Sequence, residues 1–454
     1  MLRSMRWMMS ALVLPVLACN PSPTSQADSP TPDVSASLTS VAPTQPAAAG
    51  PESVGMSSER LAELRSSLQK LVDDGRFAGF VTVVARRGQI VSFDAIGYAD
   101  AEARTPMQED SIFRIASMTK PVTGVAMMTL YEEGKWQLDD PVAKYIPEFA
   151  NLQVPREDGE LEAVATPMTM RQLMSHTAGL AYGLAPATPV DTLYRENNVM
   201  APELDLQGMI DRLAKLPLAY QPGTRWQYSI AVDVQGHLVE KLSGQRLDDF
   251  LRERIFEPLG MKDTDFKVAP SEVARLARIH RHDESGKLVP TPNAGRRDPS
   301  ERPSLLSGGG GLLSTADDYR RFSQMLLNGG ELDGVRILQP ATVELMYQDH
   351  LPEGVAMGGR MGSAFPDLRF GLDFAVMQDP PAESGYGKNT YFWGGAFGTW
   401  FWIDPEHDLL MVGMVQHIGA SGSTASLSGA PDLRRLSSES VYGALIDRER
   451  DVAH

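Results

Sequence analysis

Phe113-Arg114-Ile115-Ala116-Ser117-Met118-Thr119-Lys120-Pro121 is the stretch on which the reading of this 454-residue chain turns. Phe113 to Ala116 reads as a short apolar strand, and from Ser117 to Glu133 nearly every position is apolar until Gly134 closes the run. A helix apolar on most sides belongs in the interior. The segment therefore predicts a strand that feeds straight into the start of a buried helix, with Ser117-Met118-Thr119-Lys120 at the junction. Residues three apart on a helix share a face. A serine hydroxyl is a weak nucleophile until a base stands beside it, and a helix start adds N–H groups and a positive field suited to an oxyanion.

The same pattern occurs at Ser67-Leu68-Gln69-Lys70. Ser57-Ser58 is a good N-cap, and Leu61, Leu64, Leu68, Leu71 and Val72 follow at helical spacing before Gly75. Ser67 and Lys70 fall on the polar flank in mid-helix, where no N–H is spare and the lysine stays solvated, so this copy is expected to be inert. Histidine is the other base to consider. The chain has eight histidines but no Gly-x-Ser-x-Gly elbow, so a Ser-His-Asp site would have to be assembled from unrelated segments. His176, in Ser175-His176-Thr177-Ala178-Gly179, is expected to brace a loop. His280, His282 and Asp283 alternate on an expected exposed strand with no third partner at hand, which reads as solvated residues. No metal and no cofactor is assigned.

Outward from the junction, Phe80 to Ala85, the turn Arg87-Gly88 and Gln89 to Tyr98 read as a hairpin. Near the other end, Thr390 to Ile403, the turn Asp404 to Asp408 and Leu409 to Gln416 read as a second, followed by a helix from about Pro431 to Asp447. The stretch between, about 136–327, is helical patches broken by Pro- and Gly-rich loops. The expected architecture is α+β: a central antiparallel sheet built from both ends of the chain, flanked by helices, with a helical lobe inserted. Residues 53–454 then form one catalytic domain.

The N-terminus carries Arg3 and Arg6, an apolar run from Trp7 to Leu17, and Ala18-Cys19. The run is too short to span a bilayer, and residues 1–18 read as a signal peptide. Cys19, the single cysteine, stands where a bacterial lipobox carries its lipidated residue, although an ordinary cleaved signal with a chance cysteine also fits. Residues 19–52 are rich in Pro, Ser, Thr and Ala and read as a tether. The expectation is export and anchoring as a lipoprotein, in the periplasm or at the cell surface. A composition of 42% apolar and 22% charged residues is ordinary for a globular protein. The net charge of −16 argues against nucleic acid as a partner, since phosphate binding needs clustered Lys and Arg.

Taken together, several segments resemble the serine β-lactamase and penicillin-recognising family, in its class C and family VIII carboxylesterase branch. Besides 113–121, these are Leu138-Asp139-Asp140-Pro141-Val142, Met170 to Leu180, Pro222-Gly223-Thr224, Tyr228-Ser229, Glu257 to Met261 and Ser307 to Leu312. The resemblance implies a β-lactamase/transpeptidase-like fold and a site of three motifs. Ser117 corresponds to the nucleophile and Lys120 to its partner. Tyr228 takes the place of the tyrosine in Tyr-x-Asn, and Trp393-Gly394-Gly395 that of Lys-Thr-Gly. By register, the N–H groups of Ser117 and Ala396 would form the oxyanion hole.

Two departures point to substrate. Ile230 replaces the asparagine and cannot bond the amide side chain of a β-lactam, and Trp393 replaces the cationic lysine, so a β-lactam carboxylate would lose a charge-assisted hydrogen bond worth roughly 1.5–3 kcal/mol. Neutral acyl esters lose nothing. The resemblance thus implies a serine hydrolase of small-molecule, short-chain carboxylic esters, with Lys120 expected to have its pKa lowered by burial. An amide-cleaving β-lactamase or D-amino-acid peptidase is the alternative, and a tethered binding protein without catalysis is the reading from another class.

Overall fold

The computed structural model describes residues 50–183, 188–291, 298–358, 367–381, 384–419 and 432–446. The signal segment, Cys19 and nearly all of the tether lie outside them. Among the described residues no helix is long and apolar enough to cross a membrane.

The first helix, α1 (Ser58–Asp73), is capped by the Ser57 side chain, which accepts from the Arg60 N–H, and it buries Leu61, Leu64 and Leu68. Strands β1 (Gly79–Arg86) and β2 (Gln89–Asp100) follow as the expected hairpin. Its two turn residues, Arg87 and Gly88, both have positive φ, as the tightest hairpin turn requires. On its other edge β1 pairs antiparallel with Leu409–Met414, from Val81 opposite Met414 to Arg86 opposite Leu409. The two ends of the chain thus meet in the middle of one eight-stranded antiparallel sheet, as expected. Its order is Arg369–Phe370, Ala375–Met377, Thr390–Gly394, Trp400–Asp404, Leu409–Met414, β1, β2, Thr105–Pro106.

Every residue of β1 is buried, which follows from cover on both faces. Helix α1 packs with Leu433–Gly443 and over β1 and β2, while Ala316–Leu327 packs over β1 and the last two strands. The boundary placed at 327 for the inserted lobe therefore falls too late: Ala316–Leu327 covers the sheet. Helix α2 (Thr119–Glu132) runs through the interior with twelve buried residues and packs on Ala231–Ser243.

Two further expectations change, and two strands are added. The span Thr390 to Ile403 is two strands, because the chain reverses through Gly395 to Gly398, where Gly398 has φ +93°. The edge strands Arg369–Phe370 and Ala375–Met377 are too short to show a period in the sequence. The last helix spans Leu433–Gly443 and starts at Asp432, whose carboxylate accepts from the N–H groups of Arg434 and Arg435.

Candidate active site

Ser117 sits at the strand-to-helix junction. Phe113–Arg114 pairs with Leu313–Ser314, a single 3-10 turn covers Ala116–Met118, and α2 follows. Ala116 adopts φ +45°, costly for a residue with a Cβ, so the turn persists only because its surroundings hold it. They do so from several sides. The Ile115 N–H donates to the Leu312 carbonyl (3.1 Å), the Thr399 hydroxyl donates to the Ile115 carbonyl (3.2 Å), and the Tyr319 hydroxyl donates to the Met118 carbonyl (2.9 Å). The Gln416 amide pairs with the Arg114 backbone, accepting from its N–H (3.2 Å) and donating to its carbonyl (3.0 Å). From Ile115 to Lys120 only Ser117 keeps appreciable surface.

One turn on, Lys120 is 1% exposed. Its Nζ donates to Ser117 Oγ (3.2 Å), to the Gly309 carbonyl (2.5 Å) and to the Tyr182 hydroxyl (3.4 Å). The ammonium also lies 4.7 Å from the centre of the Tyr228 ring and 5.3 Å from that of Tyr182. Burial pushes the lysine down, as the sequence suggested, but the oxygens of Tyr182 and Tyr228 and the Asp233 carboxyl outweigh it. The net result corrects the expectation: Lys120 is held above the ordinary lysine range, as a buried ammonium.

Tyr228 stacks on Tyr182 (5.3 Å between ring centres, 25° between planes) and touches Trp393 (5.4 Å). Its hydroxyl accepts from Trp393 Nε1 at 3.4 Å. The structure therefore brings Ser117, Lys120, Tyr228 and Trp393 together. Phe370 lies edge-on to Trp393 (5.5 Å) and Trp226 stacks on Tyr228 (6.4 Å), so this wall is aromatic. Side chains alternate along the Trp393 strand, and Arg434 packs over Phe392 (4.5 Å), on the opposite face from Trp393.

Gly394 and Gly395 end that strand beside the Ser117 turn. A Cβ on Gly395 would collide with Thr399 Oγ1 and the Ile115 carbonyl, so glycine is required for the close approach. Ala396 is exposed in the reversal that follows, and the His417 N–H pins this reversal by donating to the Phe397 carbonyl (2.9 Å). Ile230 is the misplaced member of the set. It is fully buried at the start of Ala231–Ser243, with its N–H on the Ala181 carbonyl (3.1 Å), and an apolar side chain gains by that burial. It offers no surface to a ligand.

The histidines divide. His176 Nδ1 lies 3.0 Å from Ser229 Oγ and burial holds the ring well below its ordinary pKa, a neutral brace behind Tyr228 as expected. His280 and His282 do lie on a short strand, but His280 is 1% exposed, not solvated. Segment 416–418 covers it: the His280 N–H donates to the Gln416 carbonyl and the Ile418 N–H to that of His280. His282 Nδ1 meets His417 Nε2 at 3.1 Å. Among the described residues no group of three or more His, Cys, Asp or Glu could hold a metal. A cavity of about 580 Å³ is lined by both acids and bases, Glu203, Asp205, Arg246 and Arg302, and by none of the residues around Ser117. The chemistry follows Ser117, where a nucleophile and a buried amine meet.

Sequence reasoning missed Tyr182, Asp233 and Gln416. Asp233 carried a signal, an acid inside the apolar run Ala231-Val232-Asp233-Val234. Tyr182 and Gln416 carried none.

A serine at a strained strand-to-helix turn, with a buried lysine on the next turn and a tyrosine against that lysine, defines the class of serine acyl-transfer enzymes that use an amine in place of histidine. The Beta-lactamase family profile matches residues 64–426, and the chain belongs to that family. It is 37% identical over 394 residues, 82% of this chain and 94% of the other, to an uncharacterised protein of Mycobacterium tuberculosis. It is 34% identical over 383 residues to Esterase EstB of Burkholderia gladioli, covering 80% of this chain and 92% of that one. Among solved structures, EstCE1, described as a hydrolase with promiscuous acyltransferase activity, superposes with a TM-score of 0.70 at 29% identity over 85% of this chain and 99% of its own. The β-lactamase/transpeptidase-like fold is thereby established.

Proposed function

We propose that the chain is a serine hydrolase of short-chain carboxylic esters, working through an acyl-enzyme on Ser117. The observation that carries this is the contact of Lys120 Nζ with Ser117 Oγ at 3.2 Å, in a pocket whose wall is Trp393 and Phe370. Ser117 Oγ attacks the ester carbonyl carbon while its proton passes to the Lys120–Tyr228 pair, and the N–H groups of Ser117 and Ala396 stabilise the oxyanion. Collapse breaks the bond to the alcohol, which takes that proton. Water then attacks the acyl carbon by the same route in reverse, releasing the acid and restoring Ser117.

The name of Esterase EstB supports an ester-cleaving rather than amide-cleaving role, as does Trp393 where a cation would meet a carboxylate. Purified chain should turn over p-nitrophenyl butyrate faster than a chromogenic cephalosporin. The reverse order contradicts the reading. Residues 1–52 support, by their sequence, export and lipid anchoring through Cys19 in the periplasm or at the cell surface. Radiolabelled palmitate should enter the wild-type chain and not Cys19→Ser, and equal labelling contradicts the anchor.

A further inference from the structure

Near Lys120 lies a buried acidic group that the mechanism above does not use. Asp233 is wholly buried on the first turn of Ala231–Ser243. One carboxylate oxygen, Oδ1, accepts from the Ser307 hydroxyl (2.5 Å) and from the Gly309 N–H (3.1 Å). The other, Oδ2, bonds none of the described residues and lies against Gly309 where a Cβ would otherwise be; burial pushes this carboxyl up from its ordinary range, and the Lys120 ammonium, the Ser307 hydroxyl and the Gly309 N–H oppose that rise. Gly309 is the residue whose carbonyl accepts from Lys120 Nζ at 2.5 Å. Gly309 is thus gripped on both sides, its N–H by a carboxylate and its carbonyl by an ammonium, and the Thr123 hydroxyl holds the preceding peptide by donating to the Gly308 carbonyl (2.8 Å).

We propose that Asp233 is the positioning residue of the Ser117–Lys120 pair: it locks the Gly309 carbonyl that steers Lys120 Nζ onto Ser117 Oγ, and it is the buried counter-charge of that ammonium. A buried cation needs both a partner charge and saturated hydrogen bonds to remain charged. Lys120 obtains the bonds from Ser117, Tyr182 and Gly309, none of which is an anion at neutral pH. The groups that act on it electrostatically are Tyr182 and Tyr228 from loops, Asp233 from the helix Ala231–Ser243, and more weakly Asp373 and the neutral His176. Asp373 spends its Oδ1 on Gln235 Nε2 (3.0 Å) and bonds nothing in the Lys120 clamp.

This inference rests on the Ser117–Lys120 reading, and the two fail separately. The test is the full chain with Asp233→Asn, which keeps the shape and removes the charge, with kcat and KM for p-nitrophenyl butyrate measured from pH 5 to 10. The expected result is a kcat ten- to a hundredfold lower, KM within twofold, and an alkaline limb of kcat/KM moved to lower pH, because the amine has lost its buried anion. Tyr182, Tyr228, Asp373 and His176 are common to both forms, so the difference in profile belongs to Asp233. A kcat within twofold of wild type, or an equal loss at every pH with the limb unmoved, overturns the proposal. If Asp233→Asn does not fold, Ser307→Ala loosens the same carboxylate by removing the hydroxyl on its Oδ1. It should lower kcat several-fold at unchanged KM, and an unchanged kcat overturns the proposal. A wild-type chain that neither turns over esters nor labels with a fluorophosphonate ends the esterase reading instead.

Discussion

Ser67-Leu68-Gln69-Lys70 and Ser117-Met118-Thr119-Lys120 place the same two side chains at the same helical spacing, yet the molecule treats them as different materials. Lys70 has 74% of its side chain exposed and pairs at 2.9 Å with Asp74, the residue that caps the end of α1. Water and a surface ion pair of that kind contribute about 0–1 kcal/mol and leave the amine a spectator. Lys120 is sealed in, and its hydrogens are divided among a serine, a tyrosine and a carbonyl. The reactive pattern is thus the burial and the partners that a strand-to-helix junction imposes, more than the two residues themselves.

Substitution at the two serines probes this contrast most strongly. Ser117→Ala should lower kcat/KM for p-nitrophenyl butyrate by roughly 10⁴, whereas Ser67→Ala should change it less than about twofold. Comparable losses at both positions would erase the distinction. The lysines come next. Lys120→Met should cost about 10²–10⁴ in kcat, while Lys70→Met should leave kcat unchanged and move stability by no more than about 0.5 kcal/mol, read from urea melts. A smaller effect is expected on specificity. Trp393→Lys restores a cation beside the pocket and should raise cephalosporin turnover relative to butyrate ester by about tenfold, since 1.4 kcal/mol is one decade and a charge-assisted bond is worth at least that. An unchanged ratio would show that Trp393 does not face the substrate.

The smallest effect concerns the reversal carrying Ala396. Burial, with His282 and His280 nearby, pushes the His417 imidazole down from 6.5 to about 4. Folded, it stays neutral, while unfolded it protonates near pH 6.5. Its contribution is therefore intact above pH 6.5 and lost as pH falls from 6.5 toward 4, by about 3 kcal/mol in the limit. His417→Gln keeps the backbone N–H on Phe397 and removes the titration, so its Tm should fall less than that of wild type between pH 7 and 4. Parallel Tm curves would contradict this.

Much of the fold was legible because long periodic elements carry it. Leu61, Leu64 and Leu68 announce α1, Arg87-Gly88 announces the first hairpin, and the apolar run after Ser117 announces a buried helix. Trp393 and the two glycines were legible through the resemblance. What escaped were contacts that only tertiary packing creates. Ile230 sits two residues after Tyr228, but the chain turns into a helix there and carries its side chain into the core. Tyr182 and Asp233 reach Lys120 from separate segments, and this is why a pKa expected to fall is instead held up. Gln416 reaches Arg114 across about three hundred residues of sequence, an intervening distance that no local pattern can span.

The central claim is that acyl transfer passes through the serine beside the buried lysine and through no other. Incubating the wild-type chain with a p-nitrophenyl alkylphosphonate and mapping the adduct by peptide mass spectrometry tests it directly. The account predicts one adduct per chain, on Ser117, forming in step with the loss of ester turnover. An adduct on Ser67 or another residue, or full inactivation with Ser117 unmodified, would contradict it.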